Sequence, residues 1–253
     1  MAHRFFVSPE SITLDQVTFG SAAAHQLRHV LRLGPAARVV VLDDSGWEYE
    51  VELTHLGRDT ATGRICTSQM PGTEPHLSLT LYQGVLKGHR FEWVLQKGTE
   101  LGVSRFVPLV SERAVTADAG QIEGKRTRWE QIIREAAEQS HRGRLPLLAP
   151  PLSFPLACQQ GPKDHDQSFI PWEEATQVSL PGALRALECR PQRVALWIGP
   201  EGGFTSAEIA LAQEHGIQAV TLGPRILRAE TAGLAAATIV LSTLGEMEGS
   251  PTL

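Results

Sequence analysis

Cysteine is scarce in this chain: Cys66, Cys158 and Cys189 stand far apart, with no C-x-x-C spacing among them. That pattern supplies neither a disulfide framework nor a tetrahedral zinc site, and no metal is expected. Long hydrophobic runs are missing as well. The longest apolar stretch, near 232–244, is too short to cross a bilayer, and the opening MAHRFFVSPE has no apolar segment of the kind that directs export. A cytoplasmic protein without membrane attachment is the expectation. Neither common nucleotide fingerprint occurs, since no G-x-x-x-x-G-K-[ST] run exists and 199–203 does not satisfy G-x-G-x-x-G. An overall positive charge is absent too. The 23 Lys and Arg face 28 Asp and Glu, a net charge of −5, so any nucleic-acid surface must be local.

What is present is the composition of an ordinary globular protein. With 253 residues, 42% hydrophobic and 20% charged, the chain can bury a sizeable core and has room for one large or two modest domains. Short β-like runs at 4–8, 38–42, 48–55 and 62–69 share the first part with one helix over 22–33, whose Leu27, Val30 and Leu31 form an apolar face closed by Gly34-Pro35. This pattern predicts a small β-barrel. The segment Pro71-Gly72-Thr73-Glu74-Pro75 reads as a linker, after which strands and helices alternate. Strands are predicted over 77–83, 106–110, 167–170, 193–198 and 217–222, and helices over 89–101, 125–141, from 206 and over 230–244. Gly98 lies inside the first of these helices, at a cost of about 1 kcal/mol relative to Ala. The stretch 150–190, rich in proline, is the hardest to parse, with 167–170 its one strand-like run.

Two glycine-proline loops carry the chemistry. IGPEGG at 198–203 and LGPRILRAET at 222–231 each follow an apolar strand-like run. Ligands of open α/β sheets collect outside the carboxyl ends of strands, where glycine lets the backbone approach them. After the first loop, Thr205 and Glu208 have the S/T-x-x-E spacing of a capping box, and Gly216 supplies the helix stop. Glu201 sits just ahead of that helix, where its carboxylate would compete with a phosphate for the positive end of the dipole. A neutral or cationic ligand fits such a pocket better than a polyphosphate.

Charge is spread unevenly. Over 86–144 there are 11 Lys and Arg against 8 Asp and Glu, whereas the first 72 residues hold 6 against 8. A local basic surface would be built around Lys87, Arg90, Lys125, Arg126, Arg128, Arg142 and Arg144, although solvated helix faces would give the same count.

These segments together resemble the RsmE family of SPOUT-class methyltransferases, which N3-methylate one uridine of small-subunit (16S) ribosomal RNA near the decoding centre. The matching runs are HRFFV at 3–7, RHVLRL at 28–33, KGHRFEWVLQKGTELGVSRFVPLVSERAV at 87–115, RWEQIIREAAEQSHRGRLP at 128–146, IGPEGGFTSAEI at 198–209 and LGPRILRAETA at 222–232. Gly98 and Ala229 depart from the family's usual Ala and hydroxyl residue. The resemblance implies an α/β protein with a PUA-like β-barrel RNA-binding domain over 1–72 and a SPOUT domain over 73–253 whose end threads a trefoil knot. It also implies a homodimer that binds S-adenosyl-L-methionine in the knot and meets 16S ribosomal RNA in the assembled small subunit.

The residues expected to hold the cofactor are Ile198, Gly199, Pro200, Glu201 and Gly202 of the first loop, with Leu222, Gly223, Ile226, Leu227, Arg228, Thr231 and Ala232 of the second. Uridine N3 carries a proton at neutral pH, so a base or a cation must help; Glu201 and Glu230 are the candidate carboxylates, and Arg228 or Arg225 could stabilise charge on the uracil oxygens. Phosphate contacts are expected from Arg4, Arg28, Arg32, Lys87, Arg90, Arg128, Arg142 and Arg134, though Arg134 also reads as an ion-pair partner of Glu130 or Glu138. Two other readings stay open: a SPOUT methyltransferase of another RNA such as transfer RNA, and a non-catalytic RNA-binding assembly factor.

Overall fold

The computed structural model describes residues 2–114 and 119–248, so Val115, the last residue of the 87–115 run, lies outside the described residues. The chain divides into two units, Met1–Glu74 with Arg134–Leu145, and Pro75–Ile133 with Pro146–Leu253.

The first unit is built on β1 (Arg4–Phe6), β2 (Gln16–Phe19), α1 (Ser21–His25), β3 (Arg38–Leu42), β4 (Glu48–Leu56) and β5 (Ala61–Gln69). These strands form one curled sheet in the order β1-β3-β4-β5-β2, antiparallel except where β1 runs parallel to β3. Register shifts in the β4–β5 pair, at Glu50/Val51 and Leu53/His55, add the local twist that curls it. Phe5, Val17, Phe19, Val39, Val41, Val51 and Leu53 fill its concave face. The strand at 16–19 went unread in the sequence because its burial alternates over only four residues.

The predicted 22–33 helix is corrected in its second half. After α1 the backbone takes a π-helical turn over Gln26–Val30, and the wider turn leaves Leu27 buried but Val30 64% exposed. Arg32, at φ 54°, closes the segment, with Leu33 N–H reaching back to Leu27 O at 2.9 Å.

The second unit holds β6 (Ser78–Gly84), α2 (Arg90–Leu101), β7 (Arg105–Val110), α3 (Ala119–Glu123), α4 (Arg126–Gln139, whose last residues belong to the first unit), β8 (Leu147–Leu148), β9 (Leu152–Ser153), α5 (Phe154–Gln160), β10 (Gln167–Pro171), α6 (Leu180–Arg185), β11 (Arg193–Ile198), α7 (Ser206–Glu214), β12 (Gln218–Val220) and α8 (Ala229–Thr243). Its seven strands make an all-parallel sheet in the order β12-β10-β11-β6-β7-β8, with β9 also on β7. Both faces are covered, as such a sheet requires. On β11, Val194, Leu196 and Ile198 point into one core with Phe91, Leu95, Phe106 and Val240, while Ala195 and Trp197 point into the other with Phe154, Ile209 and Ile217. Helix α8 packs on α2, α6, β6 and β11, and α5 packs on α7.

Gly98 finds its reason here: a Cβ at that position would lie 2.8 Å from Phe106 Cε1 and 2.9 Å from its Cζ. Among the described residues, no helix is long and apolar enough to cross a membrane, and no group of His, Cys, Asp or Glu could hold a metal ion.

Candidate functional site

A cavity of about 990 Å³ opens in the second unit at the carboxyl ends of three neighbouring strands, β12, β10 and β11, with Arg90 of α2 beside them. This is where an open parallel sheet leaves room for a ligand. β11 contributes Ile198–Gly199–Pro200–Glu201–Gly202–Gly203–Phe204, β12 the loop from Thr221 to Arg228, α8 its Ala229, Glu230 and Ala232, and β6 leads to Arg90.

The first loop is held from several sides. Gly203 N–H donates to Pro200 O at 2.9 Å, closing a tight turn. Thr205 and Glu208 form the expected capping box of α7, with Glu208 N–H to Thr205 Oγ1 at 3.2 Å and Thr205 N–H to Glu208 Oε2 at 2.8 Å. Glu208 uses its other oxygen to accept Glu112 N–H at 2.9 Å, and Arg113 donates from Nη1 to Gly202 O at 2.9 Å. Gly84, the last residue of β6, lies so close beneath the turn that a Cβ there would stand 2.5 Å from Pro200 N. The second loop turns at Gly223, whose φ of 108° favours glycine, while Thr221 Oγ1 accepts Gly223 N–H at 3.1 Å.

The lining is mixed in charge: Glu173, Glu201 and Glu230 against Arg90, Arg225 and Arg228. Glu201 Oε1 accepts Lys87 N–H at 2.9 Å and lies 3.4 Å from Arg90 Nη1. Glu230 Oε1 lies 3.8 Å from Arg90 Nε, and its other oxygen, Oε2, is buried with no hydrogen-bond partner. One carboxylate is thus engaged and the other half free. Arg228 precedes α8 as its N-cap residue and is exposed at the cavity.

Of the residues expected around a cofactor, all but Thr231 line the cavity. Thr231 lies in the first turn of α8, where the helix leaves its side chain exposed. The basic residues divide. Arg142 is 4% exposed and its guanidinium donates to Glu74 at 2.8 Å, and the Arg4 side chain is 8% exposed and paired with Glu48. Both are interior ion-pair partners of the first unit, which corrects their reading as phosphate contacts. Arg134 donates to Phe6 O at 3.2 Å, sits over the Phe6 ring, and attracts the Glu138 carboxylate one turn along its own helix. Arg90 belongs to the cavity wall. Arg28, Arg32 and Lys87 are exposed, and Arg128, although 2.8 Å from Glu92, keeps a side chain 61% exposed.

Sequence reasoning missed the wall after β10, formed by Pro171, Trp172, Glu173, Ala175 and Thr176, and the brace from Arg113. The strand at 167–170 was legible, and the rule placing ligands at strand ends pointed to the residues that follow it.

Known proteins agree with this arrangement. A family model described as an RNA methyltransferase domain matches residues 73–241. The ribosomal RNA small subunit methyltransferase E of Synechocystis sp. is 37% identical over 236 residues, covering 92% of this chain and 75% of the relative. The crystal structure of a ribosomal RNA small subunit methyltransferase E from Neisseria gonorrhoeae bound to S-adenosyl methionine is 31% identical, with a TM-score of 0.84 over 96% of this chain and 98% of that one. A methyltransferase from Legionella pneumophila, solved with bound cofactor SAM, is 28% identical with a TM-score of 0.86, covering 96% of this chain and 98% of that one. A parallel sheet whose strand ends carry both glycine-proline loops, a family model spanning more than half of the chain and relatives matched along nearly all of it lead to one conclusion: the chain belongs to the ribosomal RNA small subunit methyltransferase E family.

Proposed function

We propose that the protein transfers a methyl group from S-adenosylmethionine to N3 of one uridine of 16S ribosomal RNA, near the decoding centre of the assembled small subunit, in the cytoplasm. The observation that carries this reading is the cavity at the three strand ends, with its balanced lining of three carboxylates and three guanidiniums. A ligand bearing a sulfonium, an ammonium and a carboxylate matches such a lining, whereas a polyphosphate would meet Glu173, Glu201 and Glu230. Glu230 Oε2 is a buried acceptor without a protein partner, and a group that loses a proton to it would supply one. The volume of about 990 Å³ has room for a nucleoside cofactor and an incoming base.

When bound, S-adenosylmethionine supplies an electrophilic methyl carbon on a sulfonium that departs as a neutral thioether. Ile198, Gly199, Pro200 and Gly202 on one side, with Leu222, Gly223, Ile226, Leu227 and Ala232 on the other, hold it through backbone groups and apolar contact. Their main task is positioning. Glu230 takes the N3 proton at Oε2, Arg228 stabilises negative charge on the uracil oxygens, and Glu201 keeps the loop in place through Lys87 N–H. We assign residues 1–72 to a PUA-like RNA-binding domain and the end of 73–253 to a trefoil knot, and the working form to a homodimer, on the family resemblance. Arg28, Arg32, Lys87 and Arg128 supply the phosphate contacts.

The test is methyl transfer from labelled S-adenosylmethionine into unmodified small subunits, with free ribosomal RNA and transfer RNA in parallel and nucleoside mass analysis of the products. Label recovered as N3-methyluridine from the subunit is the expected result. Label confined to transfer RNA, or no cofactor binding, overturns the proposal.

A further inference from the structure

Arg90 reads in the sequence as one more basic residue of an RNA surface, and the structure puts it to another use. It opens α2, just beyond the end of β6, and its guanidinium lies between two carboxylates brought from distant parts of the chain. Nη1 is 3.4 Å from Glu201 Oε1 and Nε is 3.8 Å from Glu230 Oε1. The Glu201 and Glu230 side chains are 24% and 13% exposed, against 48% for Arg90. The cation therefore lies beside both acids while its side chain is half exposed.

We propose that Arg90 is the positioning residue of the methyl-transfer site: it engages Glu230 through Oε1 and thereby leaves Oε2 as the proton acceptor. This rests on the methyl-transfer reading above. A carboxylate on the first turn of a helix has several rotamers open to it. The guanidinium 3.8 Å from Oε1 favours the one in which Oε2 is left buried and without a protein partner, and the same guanidinium links the Glu201 loop to the start of α8. In the step it serves, the N3–H bond of uridine breaks as Oε2 takes the proton. The electron pair left on N3 forms the N3–CH3 bond, the C–S pair stays on sulfur, and Glu230 later releases its proton to water. A lysine can supply charge at one of the two carboxylates but not the planar fork that reaches both.

The experiment compares wild type, Arg90→Ala, Arg90→Gln, Arg90→Lys, Glu230→Gln and the double variant Arg90→Ala/Glu230→Gln in three measurements. These are S-adenosylmethionine affinity by calorimetry, RNA affinity as a function of salt, and kcat with KM on small subunits. A positioning role predicts that Ala and Gln at Arg90 lower kcat by about 100-fold, the loss that follows a misplacement of about 1 Å. Lys restores part of it. RNA affinity keeps its salt slope, because no phosphate contact is removed. In the Glu230→Gln background, itself slower by about 10²–10⁴-fold as loss of a general base requires, Arg90→Ala costs little more, since the two residues act as a unit.

A salt slope reduced by about 0.7–0.9 in Arg90→Ala would make Arg90 a phosphate contact and overturn the proposal. So would wild-type kcat in both neutral variants, or a full additional loss in the double variant. If wild type itself methylates no small-subunit RNA, the methyl-transfer reading falls and this role falls with it. A silent Arg90 beside an active wild type removes only the role of Arg90.

Discussion

Replacing Gly84 with alanine tests whether the cavity depends on the close approach of β6 to the first glycine-proline loop. The added methyl would lie 2.5 Å from Pro200 N, 2.7 Å from Gly199 C and 3.0 Å from Pro200 Cα, all backbone atoms that cannot swing aside. Carbon contacts are comfortable from about 3.5 Å, so loop and strand must part by about 1 Å. Overpacking of this kind costs about 1–3 kcal/mol of stability. The same displacement at a site that works by positioning costs about 100-fold in kcat/KM. The assay pairs urea unfolding, which needs no ligand, with calorimetric titration of S-adenosylmethionine and initial rates on small subunits. Gly34→Ala is the control, because a methyl there meets nothing within 4 Å. Gly84→Ala is expected to lower the urea midpoint and weaken both cofactor binding and turnover, with Gly34→Ala near wild type. A Gly84→Ala protein with wild-type midpoint, affinity and rate would refute the idea that this contact sets the loop.

Three further outcomes follow from the packing and the titrating groups. Gly98→Ala should gain about 1 kcal/mol from helix propensity, yet its methyl would press on the Phe106 ring at 2.8–2.9 Å, so a net drop in melting temperature is expected; in a Phe106→Leu background the same substitution should be neutral or stabilising, and stabilisation in the wild-type background would disprove the clash. Burial pushes the Glu138 carboxyl above its ordinary value, although the hydrogen bond from Phe6 N–H and nearby Arg134 pull it down. A raised folded-state value means that stability is lost as pH climbs from the unfolded value through the folded one, so Glu138→Gln should raise the urea midpoint near pH 7 and lose that advantage below about pH 4; a lower midpoint at neutral pH would show the charge to be favourable. Burial likewise pushes the Cys158 thiol up to about 12, so at pH 8 a disulfide reagent should label exposed Cys189 and spare Cys158 until the chain is denatured. Rapid native labelling of Cys158, read by peptide mass, would contradict its burial.

Much of the second unit was legible because its strands are buried on both faces. Arg193–Ile198 is read correctly since an uninterrupted apolar run of strand length has few other uses, and α7 begins where Thr205 and Glu208 announce a capping box. The stretch 150–190 was opaque for a physical reason. Leu152–Ser153 is a two-residue strand recruited by β7, and α5 and α6 are seven and six residues long, too short for a helical period to declare itself. The glycine-proline loops could be seen because the requirement they meet is a backbone one, written into the residue type. Charged residues are different. Whether an arginine meets a phosphate or a carboxylate depends on partners supplied by the fold: Glu201 lies 111 positions from Arg90, and Glu74 lies 68 positions from Arg142. Their charge is visible in the sequence, their partner is not.

The cavity draws its walls from the ends of β10, β11 and β12, and β12 joins the sheet only by laying three residues along the outside of β10. Every pairing in that sheet is parallel, so each one closes a long loop before it is rewarded. Until the last strand has docked, the two glycine-proline loops share no space to enclose. A ligand that needs both can therefore stabilise only the finished structure, slowing its unfolding without hastening its formation. A chain still folding, newly made or damaged, withdraws no cofactor from the cell's supply.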